Sequence, residues 1–364
     1  MGRLLHEVRH NPLLWLLVFV PAVFAVAQLR PDSHTLLFVL SVLAIVPLAT
    51  LLSHATESVA AKTGDSVGGL LNATLGNLTE LVIAITALRA GQIMLVKASV
   101  AGAIVTNTLF MLGASFLLGG LKHHVQEYNS TSARVQAGML FLATIALMIP
   151  SAVSGADSAA VEFNQQLSVG LGVLLITAYV LGMLFSLKTH REFFASVEHA
   201  ETDHEAPWPL GLALATLAGV TLLVALVSEV FVESVQQAAE AFGMTPAFVG
   251  FIVVSLVGAA AEMATAFSPA RKDRLDLSVG IALGSASQIA LFVAPVLMLA
   301  SYVVGPEPMD LQFWPGAVVM ILVATLTATL ITNSGRSAWF VGVLALMVYL
   351  IFAMTLYLLP PRVQ

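Results

Sequence analysis

The chain has 364 residues, of which 58% are hydrophobic and 10% are charged, and its mean hydropathy is +0.93. A soluble domain carries about 25% charged residues, so this composition excludes a soluble globular protein and indicates a surface that faces mostly lipid. The absence of Cys excludes disulfides, thiolate metal sites and Cys nucleophiles. The 15 Lys and Arg against 21 Asp and Glu leave no basic surface of the kind that nucleic-acid binding needs.

Uncharged stretches long enough to cross a bilayer follow one another along the chain. A hydrocarbon core of about 30 Å needs roughly 20 apolar residues in a helix, so such stretches predict membrane spans. We therefore expect an all-α polytopic membrane protein with about eleven transmembrane helices. The predicted spans are 12–29, 34–56, 66–88, 93–119, 134–152, 164–187, 208–230, 246–268, 276–303, 311–332 and 337–359.

The Lys and Arg residues between these spans predict the orientation. With the N-terminus inside, eleven basic residues lie on the inner side, and only Arg30, Arg89, Lys97 and Arg362 lie on the outer side. Because inner loops carry an excess of Lys and Arg, we expect the N-terminus inside and the C-terminus outside. Short polar ends favour a prokaryotic cytoplasmic membrane as the location.

One long polar stretch, 188–209, divides the chain nearly in half. Its acidic and His residues could bind a cation loosely, but the pattern is typical of a solvated cytoplasmic linker. These residues include Glu192, Glu198, His199, Glu201, Asp203, His204 and Glu205.

The same spacings recur on both sides of this linker. In the first half, Gly76-Asn77-Leu78-Thr79-Glu80 is followed by Gly102, which lies 22 residues after the glutamate. In the second half, Gly258-Ala259-Ala260-Ala261-Glu262 is followed by Gly284, again 22 residues after the glutamate. The tripeptide Glu-Ser-Val occurs at 57–59 and at 233–235. The chain is therefore predicted to contain an internal duplication.

The duplication predicts the domain organisation. With the first helix set aside, ten spans form two sets of five, and because five is odd the second set must be inverted relative to the first. The predicted segments are an N-terminal transmembrane helix (1–30), a first five-helix repeat (31–187), the polar linker (188–209) and a second five-helix repeat (210–364). Transporters built in this way bind substrate near the midplane, where the repeats meet.

Glu80 and Glu262 fall deep inside two predicted spans. An acidic residue at the centre of a membrane helix costs about 2.5 to 3.5 kcal/mol even on lenient insertion scales, so a functional role is expected. A packing salt bridge is disfavoured, because no Lys or Arg lies at comparable depth in the neighbouring spans. Two carboxylates at equivalent repeat positions repel each other unless a cation or protons neutralise them. The pair therefore predicts a site that binds a cation or protons in turn.

The surroundings of the two glutamates suit a hard cation. Two negative charges match a divalent ion such as Ca²⁺, which takes about six to eight oxygen ligands. Gly76 and Gly258 lie one turn before the glutamates and allow local unwinding that frees backbone carbonyls. Small and polar residues are also common where membrane helices pack, so a packing role stays open for each candidate ligand. The candidates are Asn77, Asn107, Ser285 and Gln288, with Thr79 and Ser287 beside them.

Two further carboxylates, Glu57 and Glu233, lie near opposite helix ends. They are candidates for collecting protons or cations at the two sides of the membrane, and a role as solvated end residues is equally open. His54, beside Glu57, is interpreted as a bystander.

The segments around both glutamates resemble the two conserved repeats of the Ca²⁺/H⁺ exchangers, the cation/proton antiporters of the cation/Ca²⁺ exchanger superfamily. The resemblance lies in 76–81, 91–93 and 98–113 of the first half and in 258–262, 272–277 and 280–292 of the second. It implies eleven helices, alternate binding of Ca²⁺ and protons by Glu80 and Glu262, and polar site positions at the other candidates. These are Asn77, Asn107, Ser285 and Gln288.

The chain departs from the family pattern at three positions. Ala259 stands where the second repeat of the family usually has Asn, Met263 stands where it usually has His, and Ala103 stands where the first repeat usually has Ser. A ligand oxygen and a titrating neighbour are therefore missing from one half-site. This bears on cation selectivity and on the proton path more than on the fold.

The sequence predicts a secondary antiporter, not an enzyme, that exports Ca²⁺ from the cytoplasm in exchange for H⁺ by alternating access. No cofactor is expected, Ca²⁺ being the transported substrate, and the lipid bilayer is the expected surroundings, with a homo-oligomer left open. The main alternatives are a Na⁺/Ca²⁺ exchanger or another divalent cation/proton antiporter of the superfamily. A passive cation channel is less favoured, as is an intramembrane hydrolase, because no His-Glu-x-x-His motif occurs.

Overall fold

The computed structural model describes residues 11–63, 65–153, 158–193 and 208–358, and nearly all of them are helical. Arg3, Arg9, Arg362 and the middle of the predicted linker lie outside the described residues. In chain order the elements are α1 (Pro12–Leu29), α2 (His34–Thr63), α3 (Asp65–Leu75), α4 (Leu78–Arg89), α5 (Ile93–His123), β1 (Val125–Glu127), α6 (Ser130–Ala152), α7 (Ser158–Leu184), α8 (Leu210–Ala241), α9 (Pro246–Gly258), α10 (Ala260–Arg271), α11 (Leu275–Val304), α12 (Pro315–Thr332), β2 (Arg336–Ala338) and α13 (Trp339–Leu358).

The described helices are apolar around most of their circumference, as expected for helices that contact both lipid and other helices. In α13, Ile351, Met354 and Leu358 are exposed, while Ala345 and Tyr349 pack inward. Because each helix satisfies its own backbone hydrogen bonds, this architecture is compatible with a hydrocarbon surrounding. The protein is therefore a polytopic all-α membrane protein, as the sequence predicts.

Within the described residues, nine helices are long and apolar enough to cross a membrane, or ten if the bent pair α9 and α10 is one span. The count of eleven is thus not confirmed. The predicted span 66–88 is divided at Gly76 and Asn77 into α3 and α4, which have 11 and 12 residues and are each too short to cross alone. Hydropathy predicts one span here, and the local unwinding expected at Gly76 takes the form of a break in that span.

Four π-helical turns interrupt the described helices. Such turns are rare and occur frequently at functional sites. The π turn Thr106–Met111 lies inside α5, about one turn after Gly102. The π turn Ile289–Val293 lies inside α11, about one turn after Gly284. The two predicted repeats therefore carry a π turn at matching places. The other two are Phe185–Thr189, after α7, and Val249–Val254, inside α9.

Two long helices, α2 and α8, form the most extensive helix pair in the structure. They have 30 and 32 residues, and Phe38 stacks on Phe231 between them with a ring distance of 5.4 Å. Each is the first helix of its predicted repeat. Their pairing therefore brings the two halves of the chain together along the length of the bundle.

The halves are also tied at the segments that follow α5 and α11. After α5, β1 pairs antiparallel with β2 of the second half, and Gln126 donates to the Ala270 carbonyl and the Asp273 carboxylate, both at 2.9 Å. After α11, Asp310 forms an ion pair with Lys97 of the first half, and Lys97 also donates to the Gln312 carbonyl at 2.8 Å. In each half, the segment that follows this helix therefore contacts the other half of the chain.

Candidate cation site

Each of the two glutamates lies in the first turn of the second part of a broken helix. Asn77 occupies the N-cap position of α4, and Glu80 is the third residue of that helix. Ala259 occupies the N-cap position of α10, and Glu262 is its third residue. The bend between α9 and α10 measures 58°. The structure therefore places the predicted carboxylates at equivalent points of two equivalent helix breaks.

The two breaks have different local causes. Gly76 and Asn77 are weak helix formers, so the sequence itself favours an interruption between α3 and α4. Ala259 is instead followed by more alanines, which favour helix, and only Gly258 weakens the chain there. A break in such a sequence depends on tertiary contacts, and the close approach of Glu80 to Gly258 is one of them.

Glu80 packs against the break of the other repeat. A Cβ atom on Gly258 would lie 2.9 Å from Glu80 Cγ and 3.2 Å from its Oε1, so the contact requires glycine. Glu262 lies close enough to Glu80 for their charges to interact, and the Ser285 side chain lies beside the Glu262 carboxylate. The structure thus brings Glu80, Glu262 and Ser285 together.

An amide pair joins the first break to the second repeat. Asn77 Nδ2 donates a hydrogen bond to Gln288 Oε1 over 2.6 Å. Gln288 immediately precedes the π turn Ile289–Val293, and its Oε1 also lies 3.8 Å from the position of a Cβ on Gly76. The bond uses the amide nitrogen of Asn77 and leaves its oxygen available.

Several buried polar atoms of the predicted site have no hydrogen-bond partner among the described residues. Buried polar groups are nearly always paired in folded proteins, so such a cluster indicates a ligand. Four of the atoms are oxygens, which hard cations such as Ca²⁺ prefer. The atoms are Asn77 Oδ1, Glu80 Oε1, Glu262 Oε2, and Oδ1 and Nδ2 of Asn107.

Within the described parts of the chain, no three His, Asp or Glu side chains gather closely enough to hold a metal ion. A cation in this site would therefore rely on two carboxylates and on amide and hydroxyl oxygens. That donor set fits a hard divalent ion and does not fit the imidazole-rich sites of zinc or copper.

Asn107 lies in the π turn Thr106–Met111 and is completely buried. Its neighbour Thr106 has its hydroxyl 3.0 Å from Ser255 Oγ and 3.3 Å from the Tyr349 hydroxyl. Sequence reasoning missed this hydroxyl cluster. Ser255 could have been predicted, because it lies one helical turn before the break at Ala259. Tyr349 could not, because no residue near it in its apolar helix indicates a polar contact.

Among the described residues, neither Glu57 nor Glu233 shares a hydrogen bond or an ion pair with Glu80 or Glu262. Glu57 is half-buried and accepts a hydrogen bond from Ser53 at 3.1 Å. Glu233 is exposed on α8. His54 lies against Trp208 with a ring distance of 6.3 Å. A role for either carboxylate in collecting protons stays a prediction.

The sequence and fold match known membrane exchangers over most of the chain. The sodium/calcium exchanger protein family matches residues 33–188 and 212–358. The Ca²⁺/H⁺ antiporter of Synechocystis sp. is 40% identical over 96% of this chain and 98% of its own length. The Ca²⁺/H⁺ antiporter ChaA of Bacillus subtilis is 39% identical over 92% of this chain and 95% of its own.

A solved structure extends these similarities to the fold. Native YfkE superimposes with a TM-score of 0.81 at 35% identity, covering 95% of this chain and all of that chain. The similarity includes both halves of the sequence. The chain belongs to the sodium/calcium exchanger protein family and is a secondary transporter of that family.

Proposed function

We propose that this protein exchanges Ca²⁺ for H⁺ across a membrane and that Glu80 and Glu262 bind Ca²⁺ and protons in turn. The observation that carries the proposal is the pair of carboxylates at two equivalent helix breaks, each with one buried oxygen that no described residue satisfies. Relatives that share 39 to 40% of its residues are Ca²⁺/H⁺ antiporters, which supports the choice of ions.

The coupling follows from mutual exclusion at the carboxylate pair. Two adjacent, desolvated carboxylates repel each other, so the empty doubly charged site is unfavourable in a low-dielectric surrounding. Two protons or one Ca²⁺ neutralise the charge, but the same oxygens cannot bind Ca²⁺ and protons at the same time. The protein changes its access from one side to the other only when loaded, because moving an uncompensated charge through the membrane interior is costly. This excludes a leak of either ion alone.

The remaining polar groups of the site complete the ligand set. Ca²⁺ takes about six to eight oxygens at 2.3 to 2.6 Å. We assign Asn77 and Asn107 as amide ligands, Ser285 as a positioning partner of Glu262, and Gln288 as the group that orients Asn77. Two protons per Ca²⁺ is the minimum for two carboxylates. A third proton carried by Glu57 or Glu233 would make the exchange electrogenic.

The distribution of Lys and Arg supports an orientation for the protein. Their excess on one side favours the N-terminus in the cytoplasm and the C-terminus outside. We propose that the protein lies in a prokaryotic cytoplasmic membrane and exports Ca²⁺ as protons enter. The two five-helix repeats, 31–187 and 210–364, are the units whose relative motion exposes the site to each side.

Transport in inverted membrane vesicles with an imposed pH gradient tests the proposal. Glu80→Gln and Glu262→Gln keep the shape of each side chain but remove its charge, so each is expected to abolish proton-driven Ca²⁺ uptake. Glu240→Gln changes an exposed carboxylate at the end of α8 and serves as the matched control with unchanged uptake. Full uptake in either site variant would refute the two-carboxylate mechanism.

The family is named for sodium/calcium exchange, so the coupling ion needs its own experiment. Replacing the pH gradient by a Na⁺ gradient in the same vesicles should give no Ca²⁺ uptake. Uptake driven by Na⁺ alone would identify a Na⁺/Ca²⁺ exchanger. Ca²⁺ flux that proceeds without any counter-ion gradient and without proton movement would identify a passive channel.

A further inference from the structure

A second repeated pattern lies in the last helix of each predicted repeat. Residues 172–179 of α7 read Gly-Val-Leu-Leu-Ile-Thr-Ala-Tyr, and residues 342–349 of α13 read Gly-Val-Leu-Ala-Leu-Met-Val-Tyr. Each segment begins with Gly-Val-Leu and places a tyrosine seven residues after its glycine, Tyr179 in α7 and Tyr349 in α13. The duplication of the chain therefore extends to the fifth helix of each half.

The glycine of each segment packs against a helix of the other repeat. A Cβ atom on Gly342 would overlap the carbonyl oxygen of Gly113, so α13 approaches the backbone of α5 closely at this point. A Cβ atom on Gly172 would lie 2.5 Å from Cε of Met298, in α11. These contacts set α13 against α5 and α7 against α11, two turns before each tyrosine.

Each tyrosine contacts a phenylalanine ring of the opposite repeat. The ring centroids of Tyr349 and Phe110 are 5.2 Å apart. The ring centroids of Tyr179 and Phe292 are also 5.2 Å apart, a separation at which aromatic rings attract each other. Both tyrosines are buried, with 3% and 4% exposure, so their rings are held inside the bundle.

The two phenylalanines occupy matching places in the π turns of α5 and α11. Phe110 lies eight residues after Gly102, and Phe292 lies eight residues after Gly284. The last helix of each repeat therefore contacts the π turn of the other repeat at the same position.

Tyr349 also makes a polar contact with its π turn. Its hydroxyl lies 3.3 Å from Thr106 Oγ1, which lies 3.0 Å from Ser255 Oγ. Because Ser255 donates its single proton to the Phe251 carbonyl at 2.5 Å, it accepts from Thr106, and Thr106 in turn accepts from Tyr349. Tyr349 thus holds the turn at two residues, Thr106 by its hydroxyl and Phe110 by its ring.

The same π turns adjoin the amide groups assigned to the cation site. Asn107 lies in the turn of α5, and Gln288 directly precedes the turn of α11. Neither amide atom of Asn107 has a hydrogen-bond partner among the described residues, so its placement depends on the backbone of the turn. Tyr349 contacts that turn on both sides of Asn107, at Thr106 and Phe110.

We propose that Tyr349 and Tyr179 are positioning residues of the cation site, which hold the π turns of α5 and α11 and thereby place Asn107 and Gln288. The inference rests on the proposed function, because it concerns the same site. A shift of a ligand by less than about 1 Å weakens a preorganised site. Loss of either tyrosine should therefore weaken Ca²⁺ binding, although neither residue carries a charge into the site.

Equilibrium binding of radioactive Ca²⁺ to purified protein in detergent tests each tyrosine against its own amide. Tyr349→Leu should weaken binding about fivefold, because the ring contact and the hydroxyl are both lost. The same substitution should have little further effect in the Asn107→Ala background, since the amide that Tyr349 places is then absent. Tyr179→Leu should behave in the same way with Gln288→Ala.

The crossed pairs distinguish positioning from a general loss of packing. Tyr349→Leu with Gln288→Ala, and Tyr179→Leu with Asn107→Ala, combine a tyrosine with the amide of the other turn. Their effects on the free energy of Ca²⁺ binding should be nearly additive. Additive effects in the matched pairs, or equal coupling in matched and crossed pairs, would overturn the proposal.

A conservative variant keeps the test independent of folding defects. Tyr349→Phe retains the ring and removes only the hydroxyl, so it should weaken Ca²⁺ binding about threefold. This loss should be absent in the Thr106→Val background, which has no acceptor for the hydroxyl. Tyr302→Leu changes an exposed tyrosine of α11 and serves as the matched control with unchanged binding. Unchanged binding by both Tyr349→Phe and Tyr349→Leu would contradict a positioning role.

Proton-driven Ca²⁺ uptake in vesicles separates this inference from the proposed function. A wild-type protein without such uptake would refute the proposed function, whereas the binding cycles would still decide the role of the tyrosines. A wild-type protein that transports Ca²⁺ but shows additive matched pairs would retain the proposed function and refute the inference.

Discussion

The lack of a side chain at Gly258 determines where the Glu80 carboxylate lies in the proposed cation site. The Glu80 side chain packs directly against the Gly258 backbone. The Cβ atom of any other residue would come within 2.9 Å of Glu80 Cγ. Glu80 is held among groups from both repeats and has one buried oxygen without a described partner. The proposed site thus depends on a close approach at Gly258 as much as on the Glu80 carboxylate.

Gly258→Ala is expected to displace Glu80 and to reduce proton-driven Ca²⁺ uptake at least about tenfold, because a shift of a ligand by less than about 1 Å disrupts a preorganised site. The matched control is Gly138→Ala on α6, where an added Cβ would meet no atom within 4 Å. The control should retain full uptake and equal or higher thermal stability. Equal uptake by the two variants would contradict the assigned role of Gly258.

At the same scale, the sequence predicted the residues with the strongest physical signal. Glu80 and Glu262 were identifiable because a carboxylate without a basic neighbour is costly at membrane depth. Ser285 was predicted as a ligand and lies beside Glu262, and its role as a ligand stays a prediction. Thr106, Ser255 and Tyr349 were not identifiable, because hydroxyl residues are common in membrane helices and only the packing brings these three together.

At the scale of elements, the broken helices α3–α4 and α9–α10 are the units that present the site. A continuous helix satisfies its own backbone groups, whereas a break exposes them and turns the side chains near it toward the break. The first break is visible in the sequence at Gly76 and Asn77. The second break follows Gly258, where the sequence also allows unwinding, but the alanines after it favour helix and tertiary contacts override them.

The amide pair between Asn77 and Gln288 gives a test at this scale, since it joins a break in one repeat to a helix in the other over 2.6 Å. Asn77→Ala and Gln288→Ala should each raise the Ca²⁺ concentration for half-maximal uptake by roughly tenfold, equivalent to about 1.4 kcal/mol. Because both variants break the same bond, the double variant should lose less than the sum of the two free energies. Strictly additive losses would show that the bond does not orient Asn77.

At the scale of the whole molecule, the two halves hold each other through matching connecting segments with different chemistry. After α5, a β-ribbon and exposed charges make the link, including Glu127 and Arg336 at 2.7 Å. After α11, the link is the largely buried ion pair of Lys97 and Asp310, with side chains 15% and 25% exposed. The two links between the halves are thus made by contacts of different chemistry, one exposed and one largely buried.

Thermal unfolding in detergent tests the contribution of the two links. Lys97→Met leaves the Asp310 carboxylate largely buried without its partner and should lower the free energy of unfolding by about 2 to 4 kcal/mol. Glu127→Gln removes a pair whose side chains are about 70% exposed and should cost no more than about 1 kcal/mol. Lys97→Met combined with Asp310→Leu should be more stable than Lys97→Met alone, and a further loss in the double variant would contradict this account.

The sequence by itself determined that this is an all-α membrane protein, and it predicted the internal duplication and the two glutamates of the proposed site. Composition, hydropathy, repeat spacing and the cost of a buried charge are each properties of the chain read in order. The tertiary structure decided that the unwinding expected at Gly258 becomes a bend of 58°, that Glu80 lies against that glycine, and that the buried amide of Asn107 has no hydrogen-bond partner among the described residues. These features depend on contacts between residues from opposite halves of the chain, and only folding brings such residues together.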